Sequence, residues 1–237
     1  MVLDRTVRFG VQSQLSNLIQ LLNYRLDSYL VLFFVNTSGV GLYAVGVSLS
    51  EGMWFIANSV AVVLLTNLTA GDEAYAARMT PLICRNTLLV TALAAIPVAL
   101  LAPVVVPLIF GAQYDDSVLP FILLLPGAVA LAGTKVLAAY VFSRGKPLIN
   151  AWISLATLVV TIAVDLVLIP LFEVPGAAAG SSLAYGVSLA LSAIAYRRLS
   201  GGAPILGALL PRFSDLPLYT DGVRSILRRV LPSRTPA

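Results

Sequence analysis

The chain has 237 residues, 59% of them hydrophobic and 11% charged, with a formal net charge of +4, no histidine and one cysteine, Cys84. An ordinary soluble domain carries roughly 25% charged residues, and a soluble fold of this length has no single core able to hide so much apolar surface; lipid is the solvent that covers it. Histidine bases, His/Cys zinc sites and intramolecular disulfides are excluded, and no basic patch with interleaved aromatics lies outside the tail to recruit nucleic acid.

The N-terminal MVLDRTVRFG lacks the apolar run and small-residue cleavage site of a signal peptide. A spanning helix needs ~20 mostly apolar residues, and six such runs follow, at 9–35, 41–65, 82–108, 118–142, 149–172 and 176–196. Residues 1–8 precede the first span, and 197–237 form a tail rich in Arg and Pro. All fifteen Lys and Arg except Arg25 and Lys135 fall on one side of this arrangement, whereas Asp115, Asp116 and Glu173 fall on the other. Positive charge marks the cytoplasmic side, so both termini are expected in the cytoplasm. Such a chain is all-α, a polytopic transmembrane bundle whose first partner is the bilayer.

Span one carries Gln12, Ser16, Gln20, Asn23 and Asp27 at helical spacing, one polar stripe down one face. Such a stripe belongs against protein or a water-filled cavity, not lipid. Deeper charges are Arg25, Glu51, Lys135 and Asp165, each costing at least ~2.5–3.5 kcal/mol at mid-membrane without a partner or water. Arg25 stands 13 residues before Ser38 in the first turn and Glu51 13 after it, so an antiparallel hairpin is expected to pair them, as a clamp between helices or as cavity charges. Lys135 either snorkels toward the inner surface or lines the cavity, and Asp165 is within reach of the outer interface. The candidate cavity residues are therefore Gln20, Asn23, Arg25, Asp27, Glu51 and Lys135.

In span three fall Pro97, Pro103 and Pro107, and in span four Pro126 with Gly127; these are hinges or ordinary membrane-helix prolines. The small-residue run from Gly176 to Ser181 predicts close helix packing. Cys84 reads as a small apolar filler. Residues 200–217 read as a linker, and 221–231 as an interfacial helix on an anionic leaflet or a solvated basic tail. No Walker-type glycine loop and no serine beside a base occurs; catalytic residues, metal ligands and cofactors are not expected, and the chain does not read as an enzyme.

The run NYRLDSYLVLFFVNTSGVGLYAVGVSLSE (23–51) resembles the start of the C-terminal half of the polysaccharide exporters and oligosaccharide flippases, relatives of the multidrug and toxic compound extrusion transporters in the multidrug/oligosaccharidyl-lipid/polysaccharide (MOP) superfamily. The shared features are an Arg-x-Asp pair, here Arg25 and Asp27, followed by Gly41, Tyr43 and Gly46. Three later segments agree in order: IFGAQYDDSVLPFILLLPG (109–127), YVFSRGKPLINAW (140–152) and LIPLFEVPGAAAGSSLAY (168–185). The resemblance implies one lobe of a two-lobed, alternating-access transporter in a bacterial cytoplasmic membrane. It implies a lipid-linked saccharide as substrate, met by Arg25 and Lys135, and a second lobe supplied by a copy of the chain or by a separate N-terminal half. The alternatives are a cation-coupled multidrug exporter, with Asp27 or Glu51 as the coupling carboxylate, and a non-transporting scaffold for polysaccharide assembly.

Overall fold

A computed structural model describes residues 2–70, 73–211 and 215. Six α-helices follow in order: α1 (Val2–Phe34), α2 (Thr37–Ala70), α3 (Glu73–Phe110), α4 (Val118–Ser143), α5 (Pro147–Leu199) and the short α6 (Ile205–Leu209), with a 3-10 turn over Ala112–Ser117. No strand occurs among the described residues. The helices overrun the apolar segments that announce them, because a helical ladder satisfies the backbone as well in the polar turns as in the hydrocarbon. Thus α1 begins at Val2, inside the stretch read as an N-terminal extension.

Among the described residues, four helical stretches are long and apolar enough to cross a membrane: Thr37–Thr66, Tyr75–Phe110, Ala112–Ser143 and Pro147–Leu199. The last, 53 residues, would run roughly 80 Å if straight, far more than the ~30 Å hydrocarbon layer. It is not straight. Glu173 has φ 54° and ψ −130°, between Pro170 and Pro175, and there the chain reverses. The limbs 147–172 and 174–199 then pack antiparallel, with Gly176 against the Leu168 carbonyl and Gly180 against the Asp165 carboxyl. The two limbs join α2, α3 and α4, and α1, whose polar stripe lowers its hydropathy, packs against them in one helical bundle.

Close packing at the small-residue run is therefore as expected, and Gly180 shows why glycine is required: a Cβ there would overlap Asp165 Oδ1. Gly180→Val is expected to destabilise the bundle by about 1–3 kcal/mol or more through overpacking, read as a lower melting temperature in detergent. The reversal itself is strained, because a positive φ disfavours any residue with a Cβ. Glu173→Gly is expected to hold or raise the melting temperature, by an amount corresponding to about 1 kcal/mol or less.

Three apolar clusters hold the bundle. Val31, Tyr43, Leu124, Ile169, Val174 and Ala177 close the end that the arginine distribution assigns to the outside. Val45, Met53, Ala102, Val106, Phe121 and Leu125 join α2, α3 and α4 in the middle. Leu64, Leu68, Cys84, Leu88, Leu137, Tyr140, Tyr196 and Ala208 close the opposite end. Cys84 is fully buried there, as a filler should be. Leu100, Leu108, Phe33 and Phe55 project outward, as a lipid-facing surface requires.

Part of the stretch read as a linker after α5 is docked on the bundle. Gly207 and Ala208 of α6 are buried against α3, and buried Arg85 of α3 holds both carboxylate oxygens of Asp215, at 2.5 and 2.6 Å, and the Gly207 carbonyl at 3.0 Å. Proximity in sequence to prolines and glycines said linker; an arginine with a buried carboxylate partner says a docked segment. The expected interfacial helix at 221–231 lies outside the described residues.

Candidate functional site

The Arg25–Glu51 pair expected from the hairpin does not form. Arg25 is exposed, Glu51 is half-buried, and no ion pair joins the two. The reason is helix placement. The hairpin argument assumed that α1 and α2 run side by side, whereas α1 packs mainly against α5. The two helices meet through Val31 and Tyr43 near their shared turn and stand apart toward the opposite end.

The space between them is an open cavity of about 250 Å³. Ser13, Ser16, Asn17 and Gln20 line it from α1, Asn58 from α2, Thr134 and Lys135 from α4, and Asn150, Ser154, Ser188 and Ser192 from α5. Of the α1 stripe, Ser16 and Gln20 stand in this wall, and so does Lys135. Lys135 is the one charged side chain of that lining among the described residues. Its ammonium lies 5.6 Å from the centre of the Trp54 ring, a cation–π distance. The wall thus offers many neutral donors and acceptors and one positive charge, with no carboxylate.

The upper part of the stripe does something else. Asn23 is buried and donates from Nδ2 to the Ser154 carbonyl at 2.8 Å, tying α1 to α5. Asp27 is buried and accepts hydrogen bonds on Oδ2 from the Tyr43 hydroxyl, at 2.8 Å, and from the Ser181 hydroxyl. The Asp165 carboxyl lies against that of Asp27. A narrow gap lined by Asp27, Tyr43, Ser50 and Trp54 adjoins the pair, and Trp54 carries it to Lys135. Asn23, Arg25, Asp27 and Glu51 are not in the lining of the open cavity.

Asp165 was read toward the outer interface and is instead completely buried. The signal for it was present. Thr157, Thr161 and Asp165 recur every fourth residue on one face of the first limb of α5, and all three are buried. Such a stripe points inward for the same reason as the one on α1. Facing it, the second limb contributes Ser181, Ser188 and Ser192, likewise buried.

At the Pro126–Gly127 pair α4 meets the second limb of α5. The Ser182 hydroxyl accepts from the Gly127 N–H at 3.1 Å and donates to the Leu123 carbonyl, the two groups that an uninterrupted α-helix joins directly. A side chain inserted into the ladder is a recognised cause of bending. The Tyr43 hydroxyl, 3.0 Å from that of Ser181, completes the link between α2, α5 and the Asp27 carboxyl.

Two solved structures share this fold over 94% of the chain, each with a TM-score of 0.65. One is an outward-facing multidrug resistance MATE family transporter of the MOP superfamily, 16% identical to this chain. The other is a MOP superfamily transporter from Pyrococcus furiosus with a binding pocket of reverse polarity, 18% identical. The alignment takes in 50% of each of those chains, so the protein spans about half the length of the transporters it is folded like. No curated protein matches. The family described as polysaccharide biosynthesis protein matches residues 1–119, which hold α1 to α3 and the stripe on α1. The chain belongs to that polysaccharide biosynthesis protein family, folded as one lobe of a MOP-type transporter.

Proposed function

We propose that the chain is one lobe of a membrane translocase that moves lipid-linked oligosaccharide from the inner to the outer face of a bacterial cytoplasmic membrane, in cell-surface polysaccharide assembly. The observation that carries this is the open cavity, where amides and hydroxyls surround a single ammonium, Lys135. Sugar hydroxyls need neutral donors and acceptors, and a linking phosphate needs a cation. A cavity meant for cations would be expected to present carboxylates in its wall. In this reading Gln20 and Lys135 meet the substrate, while Asn23 and Asp27 fix α1 behind the cavity. Arg25 and Glu51, outside the cavity wall, answer to the second lobe, whether that is another copy of the chain or an N-terminal half.

A strain lacking the protein is expected to accumulate lipid-linked saccharide on the cytoplasmic face and to lose surface polysaccharide. Normal surface polymer with no accumulation would refute the proposal. The buried Asp27–Asp165 pair favours a second reading, a cation-coupled multidrug exporter, since a carboxyl pair among hydroxyls can take up a small cation or a proton. That reading expects the same strain to become sensitive to cationic drugs with its polysaccharide unchanged.

A further inference from the structure

The two limbs of α5 also enclose a groove on the outside of the bundle. Its walls are Trp152 and Ala156 from the first limb and Leu191, Ile194, Ala195 and Leu199 from the second, around a volume of about 460 Å³. It is open to the surroundings, since Trp152 is 67% and Ile194 41% exposed. Ile153 lines both this groove and the polar cavity, so the two lie on opposite sides of one side chain and share nothing polar.

At the end of the groove the lining changes character. Arg198 closes it, and a second hollow of about 450 Å³ continues past Arg197, Arg198, Gly201 and Gly202. Both guanidiniums are exposed, and no carboxylate among the described residues pairs with either. Gly201 and Gly202 have positive φ, 73° and 98°, and a Cβ on either would meet nothing within 4 Å; the turn leaves the hollow open. The second limb, residues 174–199, runs roughly 39 Å at helical rise against ~30 Å of hydrocarbon. The limb is thus longer than the hydrocarbon is thick, and the two arginines lie at its very end, beside the polar turn at Gly201 and Gly202.

We propose that this groove is a binding site for an anionic glycerophospholipid of the surrounding leaflet, with one acyl chain against Trp152 and Ile194 and the phosphate on Arg197 and Arg198. Two cations paired with no carboxylate among the described residues select a net negative headgroup over a zwitterionic one, each arginine contributing about fivefold in affinity. A bilayer lipid fits better than the lipid-linked substrate. A saccharide attached to a phosphate at Arg197 would stand outside the bundle, with Ile153 between it and the polar cavity. The site is independent of what that cavity transports.

Trp152 is one of two tryptophans, so a Trp54→Phe background makes it the sole indole reporter. The full chain is reconstituted in phosphatidylcholine vesicles with increasing brominated phosphatidylglycerol. Quenching of Trp152 is expected to saturate at far lower mole fraction than with brominated phosphatidylcholine. Arg197→Gln/Arg198→Gln should raise the half-saturating fraction about tenfold or more, and the doubly Lys-substituted protein should restore most of it. Ala195→Phe, which fills the groove and keeps both charges, should also weaken quenching. Three results would overturn the proposal: quenching that follows mole fraction alike for both lipids, a Gln double variant that behaves as the parent, or displacement by a polyprenyl phosphate but not by unlabelled phosphatidylglycerol.

Discussion

An Arg85→Leu variant is expected to lose about 3–5 kcal/mol of stability, the range for breaking one side of a buried ion pair. The loss does not come chiefly from the missing attraction. Removing the guanidinium takes two charge-assisted hydrogen bonds from the buried Asp215 carboxylate and one hydrogen bond from the Gly207 carbonyl. The least costly response is for residue 215 and α6 to leave the bundle, uncovering the end that Leu64, Leu68, Cys84 and Tyr196 share with Ala208. Cys84 is the chain's one cysteine, and it is fully buried, so it reports the event directly. Maleimide labelling of Cys84 should accelerate strongly in Arg85→Leu, alongside a lower melting temperature. The double variant Arg85→Leu/Asp215→Leu should be more stable than the single one, because it leaves no charge behind. If the single variant melts like the parent and Cys84 stays closed, the Arg85–Asp215 contact does not hold α6 against the bundle.

How much of this was readable beforehand depends on the range of the interaction. Apolar runs are a local property, and they marked the long helices and the turns between them, including the reversal near Glu173 that separates the limbs of α5. The glycines at 176 and 180 were readable as close packing because only a small side chain admits a helix backbone so near. What the chain does not state locally is which helix lies beside which. The Arg25–Glu51 pair failed for that reason: equal depth in a hairpin is not contact when α1 packs mainly on α5. Asp165 was misplaced because its depth was judged alone, although Thr157 and Thr161 behind it form the same kind of stripe that made Asp27 noticeable. The docking of α6 was hidden in a stretch whose composition is that of a linker, since the interaction holding it joins residues 85 and 215, which no local pattern connects.

Lys135→Gln is expected to reduce translocation by about tenfold to a hundredfold while leaving the bundle folded. Lys135 is the one charge in the cavity lining among the described residues, and a hydrogen bond to a charged group contributes about 1.5–3 kcal/mol, which converts to that range. Its ammonium lies 5.6 Å from the centre of the Trp54 ring, and the cavity lining around it holds amides and hydroxyls, so Gln keeps a polar side chain in a polar wall. Lys135→Arg should retain part of the activity, since it keeps the charge but replaces a compact ammonium with a planar fork. Trp54→Ala should cost less, about twofold to fivefold, because a cation–π contact of this kind is worth about 0.5–1 kcal/mol and its role is to position the ammonium. Lys146→Gln, at the turn between α4 and α5 and away from the cavity, should change nothing. Each variant is scored in a deletion strain by the ratio of lipid-linked saccharide to surface polymer, at matched protein levels. Full complementation by Lys135→Gln would mean that no substrate anion meets Lys135. If that same variant altered resistance to cationic drugs, the cavity would be that of the exporter, and the Asp27–Asp165 pair, not Lys135, would become the place to look for the driving force.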